Sequence, residues 1–451
     1  MRSMALASGP GYDKDSGRAH EEDSVMKSRK RWLSTLAVFL SFALVAAACS
    51  DDSETTTTLD GGTDTTATPG AGAPDDFQIG IILVGPEFDK GYSQAHFEGA
   101  QYAIEQLGLP EENLISLDFV NPGDNPGLTP EGVAADMISQ GADLVIFNSD
   151  DMRDGALAAA EQNPDIPMIW VSGDSAWADG KAYEAELTNL GNVWGQMIFG
   201  KMIAGCAAAL TTETGELAYL GPLTNDETRR LVNSAYLGAQ YCWENFRGES
   251  ADSLDFTVTY IGFWFEIPGV TLDATQVVND FIDGGSDVVL SGIDTTQALV
   301  RTGQRAEAGE SLWAVPYDFV GACQEAPGIC LGVPYFNWGP AYLDIAQSVI
   351  DGTYTADWNW IAPDWSDINA VDSSVVGYGK CDGLSTENAA DLDTFIAGLG
   401  DGSIQLYRGP LNWQDGSQFL GDGEVATDFQ IWYSEQCLEG VIGACSINVF
   451  G

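Results

Sequence analysis

Four aspartates, Asp150, Asp174, Asp294 and Asp318, each follow a short run rich in β-branched and aromatic residues, and a shift of 144 residues carries Asp150 onto Asp294 and Asp174 onto Asp318. Carboxylates just after the strands of an open α/β sheet face the crevice where such sheets hold ligands, and there they accept hydrogen bonds from hydroxyls or amines. The same positions also suit helix caps and turns, which duplicate just as well. Three tryptophans share this setting: Trp177 after the run ending at Ser172, Trp264 closing residues 256–263, and Trp338 after residues 331–336. Flat apolar rings with a few placed polar groups are what small-molecule pockets use. The chemistry expected is reversible binding of a small planar or hydroxylated solute, with Asn337 and Trp338 at the mouth of the cleft.

Covalent chemistry is not signalled. Beyond residue 48 the chain has one histidine, His96, so Ser/His/Asp or Cys/His machinery has at most one imidazole to use, and His96 reads as a surface or rim residue. The run Gly195-x-x-x-x-Gly200-Lys201 imitates a phosphate loop, but Met202 replaces the required Ser/Thr and the segment reads as one continuous helix. Asp422-Gly423-Glu424 lacks the further spaced carboxylates of a calcium loop. No enzyme, cofactor or metal is expected.

The elements that must position these residues alternate. Residues 77–84, 114–120, 142–148 and 167–172 read as strands, with helices around 93–107 and from Thr129 to Gly141. Thr129 as N-cap, Pro130 in the first turn and Gly141 as stop are standard helix punctuation. Such βα alternation implies a parallel sheet covered on both faces. The 144-residue shift also superposes Val133-x-x-Asp136-x-Ile138-x-x-Gly141-x-Asp143-x-Val145 on Val277-x-x-Asp280-x-Ile282-x-x-Gly285-x-Asp287-x-Val289. Gly99-Ala100-Gln101-Tyr102 recurs as Gly238-Ala239-Gln240-Tyr241. The expected fold is therefore α/β, with two similar doubly wound parallel-sheet lobes and a ligand cleft between them. The first lobe is expected over 77–188 plus about 338–355, and the second over 189–337 plus about 356–451. The chain would cross between them near 187–193 and 335–338.

Ahead of the lobes, Lys27, Arg29, Lys30 and Arg31 precede an apolar run, 33–48, that stops at Ala46-Ala47-Ala48-Cys49-Ser50. The run is shorter than the ~20 residues a membrane-spanning helix needs. The layout is that of a signal peptide over 1–48, starting in effect at Met26, with Cys49 acylated after cleavage. Residues 49–76 are Thr-, Gly- and Asp-rich and read as a disordered tether of roughly 30 Å mean span. An exported chain permits disulfides. Short spacings favour Cys323 with Cys330 and Cys437 with Cys445; Cys206 with Cys242 would join two helices, leaving Cys381 over. With 67 Asp and Glu against 18 Lys and Arg, the net charge of −49 excludes nucleic acid as a partner.

Several motifs resemble one family. They are Ile79-Gly80-Ile81-Ile82 leading to Asp89-Lys90-Gly91-Tyr92-Ser93-Gln94, then Gly215-Glu216-Leu217-Ala218-Tyr219-Leu220-Gly221, Gly285-Ser286-Asp287-Val288-Val289 and Val315-Pro316-Tyr317-Asp318. The chain is similar in these to the basic membrane protein family of substrate-binding lipoproteins, type I periplasmic-binding folds that serve ABC importers. The resemblance implies a nucleoside-like ligand, an ABC permease as partner, and a monomer held at the extracytoplasmic face of the cell membrane by its lipid alone; a ligand-sensing receptor of the same fold, coupled to a signalling partner, is the alternative. Matched residue by residue, it implies that Asp89, Tyr92, Ser93 and Phe97 line the first-lobe side, and that Trp264 and Asp318 supply the second lobe's aromatic and carboxylate. Ser93 stands where the family usually has Asn, and residues 335–338 where a ligand-contacting Lys is expected.

Overall fold

The computed structural model describes residues 73–445; Cys49, the signal segment and nearly all of the tether lie outside them. The first lobe begins with β1 (Ile79–Ile82), α1 (Tyr92–Gln106), β2 (Leu114–Leu117), α2 (Pro130–Gln140), β3 (Leu144–Phe147), α3 (Arg153–Gln162), β4 (Met168–Val171) and β5 (Leu190–Gly195). The second lobe continues with α4 (Met197–Thr211), β6 (Glu216–Gly221), α5 (Asp226–Asn245), β7 (Asp255–Tyr260), α6 (Ala274–Asp283), β8 (Val288–Ser291), α7 (Gln297–Glu307) and β9 (Trp313–Val315). The remainder supplies β10 (Gly332–Phe336), α8 (Gly339–Ile350), β11 (Trp358–Ile361), β12 (Val376–Lys380), α9 (Thr386–Gly400), the short strands β13 (Leu411–Asn412) and β14 (Gln418–Leu420), α10 (Asp428–Trp432) and β15 (Val441–Ile442).

Two all-parallel sheets result, ordered β11-β5-β4-β3-β1-β2 and β15-β7-β6-β8-β9. Strands buried along their length, such as β3 (Leu-Val-Ile-Phe) and β8 (Val-Val-Leu-Ser), are what helices on both faces require. The 144-residue repeat is structural: β1 and β6 each lie between the next two strands of their own lobe, so each sheet has its switch point there. The repeat's conserved-by-duplication aspartates brace strand starts. Asp143 accepts from the Gln78 backbone N–H at 2.9 Å, and Asp287 from those of Glu213 and Thr214 at 2.6 and 3.1 Å. The punctuation of α2 is as read, with Thr129 accepting from the Gly132 N–H and Gly141 at φ 114°.

Lobe membership differs from the expected bounds in two places. Leu190–Gly195 and Trp358–Ile361 are both strands of the first sheet, so the first passage to the second lobe is at Gln196 and the return at Asn337–Trp338 is followed by a third passage over 362–375. The Gly195 to Lys201 run is therefore a strand end, one linking residue and a helix start, not a continuous helix. It forms no phosphate loop, because α4 is buried on nearly every side and Lys201 with it. His96 is likewise not at the surface. The face of α1 that carries it packs on α8, stacking the imidazole on Trp338 at 4.4 Å and pairing Nδ1 with the Tyr342 hydroxyl, and burial holds its pKa well below the usual value.

All seven cysteines in the described residues belong to the second lobe. Cys206 on α4 and Cys242 on α5 are bonded, as are Cys437 and Cys445. Cys323, Cys330 and Cys381 converge, their sulfurs all within 4.8 Å of one another. Cys323 has Cα–Cα distances of 5.5 Å to Cys330 and 6.6 Å to Cys381, both within disulfide range. A sulfur forms one disulfide, so each pairing leaves one thiol. Peptide mapping of non-reduced protein, with thiols trapped by a maleimide in acid, should find one free thiol among these seven cysteines, at Cys330 or Cys381 and not at Cys323. Three free thiols here would refute the pairing.

Candidate functional site

The carboxyl ends of the two sheets face each other across a narrow cleft with about 420 Å³ of atom-free space, part of it open to solvent. First-lobe loops after β1, β3 and β4 bring Tyr92, Ser149, Asp150 and Ser172 to it. Strand β6, second-lobe loops and the first turn of α5 bring Tyr219, Glu227, Trp264, Gly292, Asp294 and Tyr317. Four aromatic rings and three carboxylates thus converge from opposite sides. The switch point of the first sheet is locked by the Asn148 side chain, whose Oδ1 accepts from the Val84 N–H at 2.9 Å. The Tyr92 hydroxyl is fixed on the Asn148 carbonyl at 2.5 Å. Across the cleft, the Tyr92 N–H points at the Asp294 carbonyl at 3.4 Å, and the Asp294 N–H donates to the Trp264 carbonyl at 2.9 Å.

Of the residues singled out in the sequence, Tyr92, Asp150, Trp264 and Asp294 line this cleft. Asp89 stands behind it, spending its carboxylate on the backbone N–H groups of Gly91, Ser93 and Gln94 at 2.8 to 3.0 Å, so it caps α1. Ser93 is wholly buried and accepts from the Gly85 N–H, and Phe97 is buried edge-on to Phe88. Asp318 is wholly buried at φ 70°, and its carboxyl oxygens find no hydrogen-bond partner. Asp174 lies at the cleft's outer end, bonded to the Tyr433 hydroxyl. Trp177 is stacked between Trp358 at 4.0 Å and Tyr433 at 5.8 Å, in a layer that ties the C-terminal segment to the first lobe. Asn337 donates to the carbonyls of Val371 and Ser374, and Trp338 is wholly buried against α1. These last two sit where the chain passes between lobes, not among the cleft-lining residues.

Sequence reasoning missed Tyr219, Tyr317, Glu227, Lys201 and Arg230. Lys201 supplies a buried amine behind the cleft wall: its Nζ donates to the Ser291 carbonyl at 2.7 Å and lies 3.1 Å from the centroid of the Tyr317 ring, and burial holds its pKa well below the usual lysine value. The signal was available, since a basic residue inside an otherwise apolar helix of so acidic a chain needs a reason. Glu227 was hidden by its position, because an acid in the first turn after the Asn225 cap reads as a helix-dipole partner.

Burial sets the charge state of the cleft. It raises Asp150 to about 6, with Asp151 adding repulsion and Arg230 opposing, and Glu227 to about 7 against the pull of Arg230. Asp294 and Asp318 are pushed well above the carboxylate range, chiefly by burial; Lys201 opposes this at Asp318. A carboxyl whose folded pKa is raised favours the folded state fully below its unfolded pKa and loses that advantage as pH climbs through the folded value. Glu227→Gln should therefore match the parent's stability at pH 4.5 and exceed it at pH 8, by on the order of 2 kcal/mol, given partial solvent access. Thermal unfolding of both proteins across that range checks this; parallel curves would show that Glu227 carries no such shift.

No family model matches the chain. A purine-binding protein of Brucella abortus is 25% identical over 358 residues, 79% of this chain and 91% of the relative. A putative ABC transporter glucose-binding protein of Haloferax volcanii is 24% identical over 306 residues, 68% of this chain and 69% of the relative. Among solved structures, an ABC transporter solute-binding protein of Aeropyrum pernix matches with a TM-score of 0.56 at 11% identity, covering 75% of this chain and 93% of that one, a likeness of fold. Among the described residues no helix is long and apolar enough to cross a membrane. The chain has the type I periplasmic-binding fold and is similar over most of its length to solute-binding proteins of ABC transporters, in keeping with its resemblance to the basic membrane protein family.

Proposed function

We propose that this chain is an extracytoplasmic solute-binding protein, lipid-anchored through Cys49, that closes its two lobes on a nucleoside-like solute and hands it to an ABC permease. The observation that carries the reading is the convergence of Tyr92, Tyr219, Trp264 and Tyr317 with Asp150, Glu227 and Asp294 at the facing carboxyl ends of two sheets. Rings of this kind hold a flat heterocycle, and carboxylates accept from hydroxyl or amino groups. The purine-binding relative supports the same ligand class. The glucose-binding relative favours a second reading, a hexose on the same rings and carboxylates.

Titrating the protein with a panel of purine and pyrimidine nucleosides and hexoses, while following tryptophan emission, separates the two, because Trp264 lines the cleft. A saturable change with a purine nucleoside is expected. Saturation by hexoses alone would replace the nucleoside reading with the sugar one, and no response to either would end both. For the anchor, Cys49→Ala should shed the protein from the cell surface into the medium while its binding curve stays unchanged; retention at the membrane would mean another attachment holds it.

A further inference from the structure

Cys323, Cys330 and Cys381 reach one another from three separate segments, in an apolar cluster with Leu299, Val333 and Tyr335. Cys323 lies on the short helix Ala322–Glu325, Cys330 two residues before β10, and Cys381 directly after β12. Backbone hydrogen bonds, not sulfur chemistry, bring the last two together. The Cys381 N–H donates to the Leu331 carbonyl at 3.3 Å and the Gly383 N–H to the Cys330 carbonyl at 2.9 Å, beside the antiparallel pairing of Gly332 with Lys380. Glycine at 383 permits this approach, since a Cβ there would lie 2.6 Å from the Cys330 carbonyl oxygen. Cys330 and Cys381 therefore keep their places whichever of them is bonded to Cys323.

The two outer sulfurs are also placed to exist as thiols. Cys330 Sγ has the Gly332 carbonyl at 3.8 Å and Cys381 Sγ the Gly379 carbonyl at 3.6 Å, each an acceptor for a weak S–H donor. Among the described residues the Cys323 sulfur has no such acceptor, and its Cα lies within disulfide range of both neighbours. One central sulfur that stays bonded, between two outer ones that can each carry the proton, is the arrangement disulfide exchange needs.

We propose that these three cysteines form a thiol–disulfide exchange site. The Cys381 thiol gives up its proton and its thiolate attacks the Cys323 sulfur of the Cys323–Cys330 bond. A Cys323–Cys381 bond forms, and Cys330 leaves as a thiolate that takes up a proton. One disulfide and one thiol stand on each side of the step, so it needs no oxidant or reductant. The two forms differ in what they present. Cys330 is wholly buried and Cys381 only partly, so the thiol meets a small disulfide or alkylating agent from solution in one form and is sealed in the other. They differ also in what they tie. Cys323–Cys330 closes a local loop, whereas Cys323–Cys381 fastens the helix Ala322–Glu325 to β12, the strand that follows the third passage between the lobes.

The test uses the parent protein purified without reductant. Acid quenching, maleimide labelling and peptide mapping give the starting share of thiol on each cysteine, and both Cys330 and Cys381 should carry some. Native protein is then held with iodoacetamide for hours, long enough for disulfides to reshuffle. Label should accumulate on Cys381 well past its starting share, to more than about 90% of chains, while the Cys330 thiol disappears without being labelled. Cys330→Ser and Cys381→Ser should each carry the remaining bond to Cys323, with no thiol among the six cysteines left of the seven. Label that halts at the starting share, label on Cys330, a thiol confined to one of the two cysteines, or a variant that leaves Cys323 as a thiol overturns the exchange site.

Discussion

Gly91→Ala should weaken solute binding about 100-fold and leave the melting temperature of the unliganded protein nearly unchanged. At Gly91 the first lobe lies hard against the second: a Cβ built there would lie 1.6 Å from the Asp294 carbonyl oxygen. No rotamer relieves such a clash, because both atoms are fixed to backbone. The relief available is separation of the lobes by more than an ångström at the rim, which also breaks the Tyr92 to Asp294 contact. Overpacking of this kind costs up to about 3 kcal/mol, charged here to the closed form alone, and that equals about two orders of magnitude in affinity. Titration with the best probe from the nucleoside and hexose panel measures the loss. Small-angle scattering adds a second readout, since the variant should keep a larger radius of gyration in saturating ligand. An unchanged affinity would mean that closure does not bring Gly91 onto Asp294.

Gly238→Ala should do the reverse, costing the fold about 3 kcal/mol and lowering the melting temperature by roughly 5–10 °C. Helices α4 and α5 cross at two glycines. A Cβ on Gly238 would lie 1.9 Å from the Met202 carbonyl oxygen, and one on Gly205 1.8 Å from that of Ala235. The Cys206–Cys242 bond staples the same pair, so the helices cannot drift apart to make room. Calorimetry of Gly238→Ala beside Gly127→Ala, where an added Cβ meets nothing within 4 Å, checks the claim. Equal melting temperatures for the two variants would refute close packing as the role of Gly238.

The doubly wound fold was legible because its signals are local. Thr129, Pro130 and Gly141 punctuate α2 through contacts within a few residues, and the duplication of Val133 to Val145 as Val277 to Val289 reports a repeated βα unit whatever surrounds it. The site was half legible. A strand end can be found from its hydrophobic run, so Asp150, Trp264 and Asp294, read as lying after strands, do fall on the cleft wall; which way a side chain leaves that end depends on what packs beneath. Asp89 turns back to cap α1, and Trp338 turns inward because Gly99, whose Cβ position lies 2.5 Å from the Trp338 Cβ, lets α8 settle directly on α1. Lys201 and Arg230 lie inside helices, past the strand ends at Gly195 and Gly221, where the side chain's direction is set by how α4 and α5 pack and not by the hydrophobic run before them. The passages between lobes were misplaced by a few residues for a similar reason: β5 and β11 pair with each other, and neither segment alone says which sheet will claim it.

The seven cysteines of the second lobe have a mechanical consequence. A bond from one sheet to the other would fix the gap between them at one width. Every bond available to these cysteines instead falls on one side of that gap, so one jaw is a cross-linked frame and the other is held by packing alone. Oxidation therefore stiffens the frame without ever welding the jaws shut.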